Sequence, residues 1–314
     1  MSLINALPYR VRTPIQIYRH NAVCRPVLDT PPIKAQEDGL ILFSMIGTKI
    51  LLPYLVAIKS LWAQLRRGRV VILDDGSLTV QDKILLAHHL DNPLIIPIQS
   101  VDVTDFLKGG TWERLLTILD CRPDDYVVQL DSDTVTIGPV PEVAQAIEKG
   151  ASFLFAGDAQ SAARGILPVA DYLQSYYTDA VKNADHVQNV LEHAMVQLRD
   201  SETLRYFRGC SGFAGFAPAK SGRALARDLT GQFRTIIGAD KLSEWGSEQF
   251  MSNMLLANEQ QQPVVLPGDR YINYWGSPWS DQVRFIHFLG THRYTGSAYA
   301  DATRAALAMI ETLA

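Results

Sequence analysis

The sequence is poor in cysteine, in long apolar runs and in clustered basic charge. Its three cysteines, Cys24, Cys121 and Cys210, are odd in number and far apart. They form neither a C-x-x-C pair nor a disulfide framework, which excludes a disulfide-stapled scaffold and predicts a reducing, cytoplasmic setting. The N-terminal stretch MSLINALPYRVRTPIQIYRHNAV is broken by Pro8, Arg10, Arg12 and Pro14. It therefore offers no apolar segment of signal-peptide or membrane-spanning length. No transmembrane segment is expected, and only peripheral contact with a membrane stays open. Lysine plus arginine number 29 against 33 aspartate plus glutamate, a net charge of −4 without a basic block, which argues against a nucleic-acid partner. Internal repeats and low-complexity tracts are also missing.

What is present is an ordinary globular composition, 47% hydrophobic and 20% charged over 314 residues, enough to build a sizeable core. Residues 1–37 read as an irregular segment ending in the linker-like DTPPIKAQEDG, rich in turn formers. Strand-like and helical patterns then alternate: LILFSMI (40–46), ILLPYLVAIKSLWAQLRRG (50–68), RVVILDD (69–75), TVQDKILLAHHL (79–90) and PLIIPI (93–98). This β-α-β-α-β order predicts an α/β fold with a mainly parallel central sheet flanked by helices. TWERLLTILD (111–120) and YVVQL (126–130) repeat the unit. Residues 159–205 read as an inserted helical segment; its His186 and His193 lack an acidic partner at ligand spacing and read as solvated surface. Strand-like CSGFAGFAP (210–218), helices near 219–230 and 247–258, strand-like VRFIHF (283–288) and a closing helix over 299–314 complete the pattern.

The chemistry is concentrated where YVVQL ends in Asp131-Ser132-Asp133. In an open sheet of this kind ligands sit beyond the carboxyl ends of the strands. A D-x-D alone carries little weight, since on the order of one chance match is expected in a chain of this size. Here an apolar strand precedes the pair and extended TVTIGPVP follows it, so Asp131 and Asp133 share one side. Two hard oxygen donors suit Mg²⁺ or Mn²⁺ and leave coordination positions for a diphosphate. VRFIHFLGTHRYTG adds His287 as a third ligand, Gly290 for close backbone approach to a phosphate, and Arg293 as its counter-charge. Alone, His287 would read as a core histidine; beside the D-x-D it reads as a ligand. Strand-end carboxylates facing a ligand are expected to contribute little to the core. Asp74-Asp75-Gly76 reads as a strand-ending turn from which Asp75 could approach a nucleotide. Trp245, Tyr274, Trp275 and Trp279 cluster in loop-like sequence, where stacking on an acceptor sugar and ordinary packing compete evenly.

In order over most of residues 38–295, these segments resemble the GT-A-fold nucleotide-sugar glycosyltransferases, nearest to the retaining glycogenin and lipopolysaccharide-galactosyltransferase group. LILFSMIGTKILLPYLVAIKSL is similar to that group's first strand and helix, which implies Ser44, Met45 and Gly47 beside uridine. TWERLLTIL resembles its Y-x-R-L segment and implies Arg114 near the donor; DDYVVQLDSDTV resembles its metal-binding strand, including Ser132. Asp158 in FLFAGDAQ falls where the family holds a carboxylate near the transferred sugar. CSGFAGF, with Ser211 and Gly212, resembles its N-S-G segment, and EQFMSN its D-Q-D-x-x-N, which implies Glu248 and Gln249 at the reacting face. His287, Gly290 and Arg293 fall on its H-F-x-G-x-x-K. Cys210 stands where the family usually has Asn, Phe250 replaces the second Asp of D-Q-D, and Tyr294-Thr295 replaces Pro-Trp.

The resemblance implies a GT-A domain over 38–298. The expected function is metal-dependent transfer of a sugar from a nucleotide diphosphate sugar, expected to be UDP-linked, to a glycan, lipid-linked or protein acceptor with retention. An inverting enzyme would instead need a general base, for which Glu248 or Asp158 is the candidate. A nucleotidyltransferase is a second expectation, weakened because SMIGTK holds one Gly and one Lys where a Gly-rich basic loop is needed. A nucleotide-sugar-binding protein without transfer activity is the third, suggested by Cys210 and Phe250.

Overall fold

A computed structural model describes residues 9–176 and 185–312. Its main sheet is built from β1 (Leu40–Ile46), β2 (Arg69–Asp74), β3 (Leu94–Pro97) and β4 (Tyr126–Leu130) in the first half of the chain. A short β5 (Thr134–Thr136) leaves this sheet, β6 (Phe153–Ala156) rejoins it, and β7 (Leu167–Pro168) pairs with β8 (Arg205–Tyr206) as a separate two-stranded sheet. The last strands are β9 (Gly209–Phe216), β10 (Val264–Val265), β11 (Tyr271–Asn273) and β12 (Phe285–His287). The seven-stranded order is β10-β6-β9-β4-β1-β2-β3. Every neighbouring pair is parallel except those of β9, which runs antiparallel to β4 and β6. The expected α/β architecture with a mostly parallel sheet is therefore the one found.

Packing explains the apolar runs. β4 is buried along its whole length and β1 along all but one position, as expected for strands covered on both faces. One face is covered by the helices Leu51–Leu65 and Ala298–Thr312, the other by Trp112–Cys121, Ala224–Ile237 and Ser247–Ala257. The helix Val80–His89 starts on a capping box in which Thr79 and Asp82 bond reciprocally, satisfying two N–H groups that a helix start leaves open.

The N-terminal segment departs from expectation. Residues 9–24, read as irregular, form the helix Tyr9–Cys24 with Pro14 inside it. Proline there removes the bond to residue 10, but His20 stacks on Tyr299 at 3.6 Å and Cys24 is wholly buried. Tertiary contact with the C-terminal helix thus outweighs a local breaker. Between residues 159 and 205 the described chain forms the helices Ala159–Arg164, Val169–Tyr176 and Val187–Ala194, the last two lying between the paired strands β7 and β8; 177–184 of that expected insertion lie outside the described residues. His186 and His193 are exposed. The closing helix runs Ala298–Thr312, and residues 313 and 314 of the expected span are likewise not described. Among the described residues no helix is long and apolar enough to cross a membrane.

The small sheet β11-β12-β5 sets up the site. β12 pairs antiparallel with β5 so that His287 faces Thr134, and parallel with β11 so that His287 lies beside Asn273. Phe288 N–H donates to the Asp133 carbonyl at 2.8 Å, and Tyr274 N–H to the His287 carbonyl at 2.9 Å. Segments about 150 residues apart in sequence are thereby brought into register.

Candidate metal and donor site

Asp131, Asp133 and His287 converge at the carboxyl end of β4, with one ligand atom from each within 4.8 Å of the others. His287 Nε2 lies 3.2 Å from Asp133 Oδ1 and 3.9 Å from Asp131 Oδ2. Behind the imidazole, Asn273 Nδ2 donates to the carbonyls of Ala156 at 2.9 Å and Gly157 at 3.0 Å. Its Oδ1 must then face His287 Nδ1, 2.8 Å away, and accept the ring N–H there. That keeps a proton on Nδ1 and aims Nε2 at the carboxylates, the arrangement in which a second partner orients a metal-binding histidine. Two carboxylates and one imidazole form a hard donor set for Mg²⁺ or Mn²⁺ that leaves positions for phosphate oxygens.

Gly212, expected to touch the donor, has a nearer task. A Cβ at this position would overlap the His287 ring, so only glycine lets the imidazole sit against β9. Cys210, where an amide was expected, lies 3.4 Å from His287 Nδ1. Phe250, in place of a second acid, is fully buried and packs on Tyr206 at 5.1 Å and Phe233 at 5.2 Å. It belongs to the core and takes nothing from the cavity.

Charge is balanced across the site. Arg293 donates to Asp133 Oδ2, and Arg114 to Asp131 Oδ1 at 2.7 Å. Arg114 also reaches Glu248 Oε2 at 2.7 Å and Ser211 Oγ at 2.8 Å. Burial disfavours a charged His287 ring, but Asp133 and Cys210 outweigh it and raise the imidazole well above its ordinary range. Burial likewise opposes the Asp133 carboxylate, yet His287 and Arg293 hold it below the usual value. Glu248 is raised by burial despite Arg114 and Thr111. Asp133, at 7% exposed, is no detachable surface group: removing it leaves a buried imidazole and a half-buried arginine uncompensated. The expectation that this carboxylate matters little to the core is therefore corrected.

These groups border one cavity of about 540 Å³. It gathers Arg114, Asp131, Asp133, Asp158, Ser211, Gly212, Glu248, Gln249, His287, Gly290 and Arg293. Sequence reasoning did not anticipate Thr111, Gln188, Arg208 or Asn273, which also border it. No local motif announces them: Thr111 precedes the helix Trp112–Cys121, Arg208 precedes β9, Gln188 comes from the inserted segment and Asn273 from the β11-β12 register. Glu248 Oε1 and Arg114 Nε are buried there without a partner among the described residues, polar valences that a bound molecule could meet.

The residues expected at the nucleoside lie outside this cavity. Ser44 is fully enclosed and its hydroxyl donates to the Leu130 carbonyl at 2.8 Å, so it ties β1 to β4 and cannot touch a ligand. Met45, Gly47, Asp75 and Ser132 do not border the cavity described above. Gly47 packs against the Asp75 carboxylate, where a Cβ would clash, and Asp75 Oδ1 accepts from Ser77 N at 2.9 Å and Ser77 Oγ at 2.6 Å. That is the turn that the Asp-Gly pair predicts.

No family model matches the chain, and no curated protein matches its sequence. Solved structures do. An active-site mutant of LgtC is 12% identical with a TM-score of 0.50, over 85% of this chain and 95% of that one. The glycosyltransferase GlyE of Streptococcus pneumoniae TIGR4 is 10% identical with a TM-score of 0.51, over 88% and 63%. The bifunctional glycosyltransferase WbbM is 14% identical at 0.49; this chain covers half of that chain's length. The fold is GT-A. At such low identity the likeness establishes the GT-A architecture alone, so the activity has to be argued from the side chains.

Proposed function

We propose that the chain is a metal-dependent GT-A glycosyltransferase that takes its sugar from a nucleotide diphosphate donor, with uridine as the expected nucleoside. The observation that carries this reading is the convergence of Asp131, Asp133 and a His287 held by Asn273 on one cavity of a GT-A fold. Residues 38–298 form the catalytic unit in this proposal, with 159–205 inserted and 299–314 closing the fold. Three unpaired cysteines fit a reducing cytoplasm. A glycan, lipid-linked or protein acceptor completes the reaction.

In this proposal Asp131, Asp133 and His287 hold the cation, which when bound supplies Lewis-acid stabilisation of the departing diphosphate. Arg293 and the Gly290 backbone face the same phosphates. Met45, Gly47 and Asp75 mark the nucleoside end, with Ser132 at the turn between the two. Arg114, Ser211 and Asp158 surround the sugar. Both ends of the Gln249 amide are engaged, Oε1 by Ser211 N–H and Nε2 with Gln188 Oε1, each at 3.2 Å. Glu248 Oε2 is engaged by Arg114 and by Thr111 Oγ1 at 2.9 Å. With Oε2 held in this way, we read Glu248 and Gln249 as stabilising positive charge on the sugar in a dry site, the role a retaining transfer asks of them.

The test is a panel of nucleotide sugars incubated with the protein and Mn²⁺ or Mg²⁺, with and without chelator. Slow release of free sugar and nucleoside diphosphate, lost on chelation, is the expected result. Formation of sugar 1-phosphate and nucleoside triphosphate when pyrophosphate is added would point to nucleotidyl transfer, and a thermal shift without turnover to a binding protein. Neither turnover nor binding with any donor rejects the proposal.

A further inference from the structure

The donor cavity does not stop at the carboxylates. Across Asp158, Asn273 and Trp275, which border both, it meets a second basin of about 280 Å³ whose walls include Tyr271, Trp279 and Ser280. Two indoles stand open at the first cavity: Trp245 is 74% and Trp275 53% exposed. Large flat apolar groups left in solvent beside a cavity mark a recognition surface. Trp279 is held edge-on by Tyr274 (5.7 Å, 85°) and Phe288 (6.1 Å, 72°), so its plane is fixed. Trp275 meets His292 edge-on at 6.1 Å. The adjacent Gly276 has φ +93°, and a Cβ there would lie 3.0 Å from His292 Nδ1; glycine keeps this loop tight. Among the described residues no protein group accepts from the indole N–H of Trp245, Trp275 or Trp279.

Polar groups punctuate the aromatic wall. Asp158 uses Oδ1 to cap the helix Ala159–Arg164 through Ser161 N–H at 2.7 Å, while its Oδ2 has no protein partner among the described residues. Asp269, Ser277 and Ser280 are exposed around the second basin. Flat rings beside carboxylates and hydroxyls complement a sugar, which presents a C–H face and a rim of hydroxyl donors. A lipid chain would leave the two aspartates facing hydrocarbon. We propose that the second basin is an acceptor subsite for a glycan of at least two sugar units, with the reacting unit beside Asp158 and the next against Trp275 and Trp279. This assignment rests on the glycosyl-transfer reading and narrows its acceptor to an oligosaccharide.

Two measurements separate the subsite from that reading. First, an array of immobilised tri- and tetrasaccharides with gluco, galacto and N-acetylglucosamine backbones is probed with the full chain and no donor. Binding to at least one backbone, weakened tenfold or more in Trp275→Ala and largely restored in Trp275→Phe, is expected; because Trp275 is exposed, both variants should fold. Second, with a donor that turns over, kcat/KM is compared for the bound trisaccharide and its terminal monosaccharide. The wild type should prefer the trisaccharide by tenfold or more, and Trp275→Ala should lose that preference through KM. No array binding, or a length preference that is absent or survives Trp275→Ala, overturns the subsite. Oligosaccharide binding without donor turnover overturns the transferase reading and leaves the subsite standing.

Discussion

Lys59 and Arg114 are both buried cations, 1% and 6% exposed, and the contrast between their surroundings separates scaffold from site. Lys59 gives its three N–H groups to the Thr30 carbonyl at 3.2 Å, Thr30 Oγ1 at 2.5 Å and His89 Nδ1 at 3.3 Å. Burial lowers the amine to about 8 and the His89 ring to about 4, which keeps His89 neutral and able to accept. Every donor of the ammonium is used, and the cluster fastens the segment after residue 29 onto the helix Leu51–Leu65. Arg114 instead sits among Asp131, Glu248 and Ser211 with its own Nε and Glu248 Oε1 unmet. A closed cluster supports the fold; an open one lining a cavity is arranged for something that arrives later.

The largest effect should come from breaking the open cluster at its exposed edge. Asp131, with its side chain 31% exposed, can become Asn and still accept from Arg114. Asp131→Asn should lower metal-dependent donor turnover roughly a thousandfold with little change in Tm. Preserved turnover would remove Asp131 from the metal site. Asp133→Ala tests the other half of the contrast: it should lose turnover and also roughly 3–5 kcal/mol of stability, read by denaturant unfolding.

A smaller effect is expected one contact further out. Asn273→Ala removes the acceptor that holds the His287 ring, and Mn²⁺ binding measured by calorimetry should weaken about 10- to 100-fold. Unchanged affinity would mean that the imidazole is oriented by packing against Gly212 alone.

These three predictions also mark how far the sequence could be read. The D-x-D was legible because an apolar strand leads into it and extended chain leaves it, a pattern local to about twenty residues. His287 and Arg293 followed from residue chemistry in one short segment. Asn273 was not legible: nothing in YINYWG marks it, and its role exists only because β11 and β12 lie side by side. The helix Tyr9–Cys24 was missed for a similar reason, since its Pro14 and its arginines argue locally for irregular chain while Tyr299, almost 280 residues later, supplies the stacking partner of His20. Ser44 failed in the opposite direction. The family pattern puts it by the nucleoside, but here its hydroxyl is spent on the Leu130 carbonyl.

The closed cluster can be broken too, with a different signature. Lys59→Met keeps the length and apolar stem of the side chain but leaves the Thr30 carbonyl and His89 Nδ1 buried and unmet. A loss of about 1–3 kcal/mol is expected in denaturant unfolding, with donor turnover unchanged. A fall in turnover at full stability would contradict the division between scaffold and site.

The smallest effect concerns His20, which shares the buried, neutral character of His89 but lies beside Arg293 of the open cluster. Burial first, and Arg293 second, lower its ring to about 4 from an ordinary 6.5. Between those values the unfolded chain binds a proton that the folded chain refuses, so stability is complete above about pH 6.5 and falls as the pH drops towards 4. Between pH 7 and pH 5.5 the loss attributable to this ring is about 1 kcal/mol. His20→Phe preserves a ring to stack on Tyr299 and has no proton to take up. The variant should therefore show a flatter fall in Tm over that interval than the wild type, His89 accounting for what remains. An identical acid slope in both proteins would show that His20 is protonated in the fold, and that the N-terminal helix tolerates a second positive charge beside Arg293.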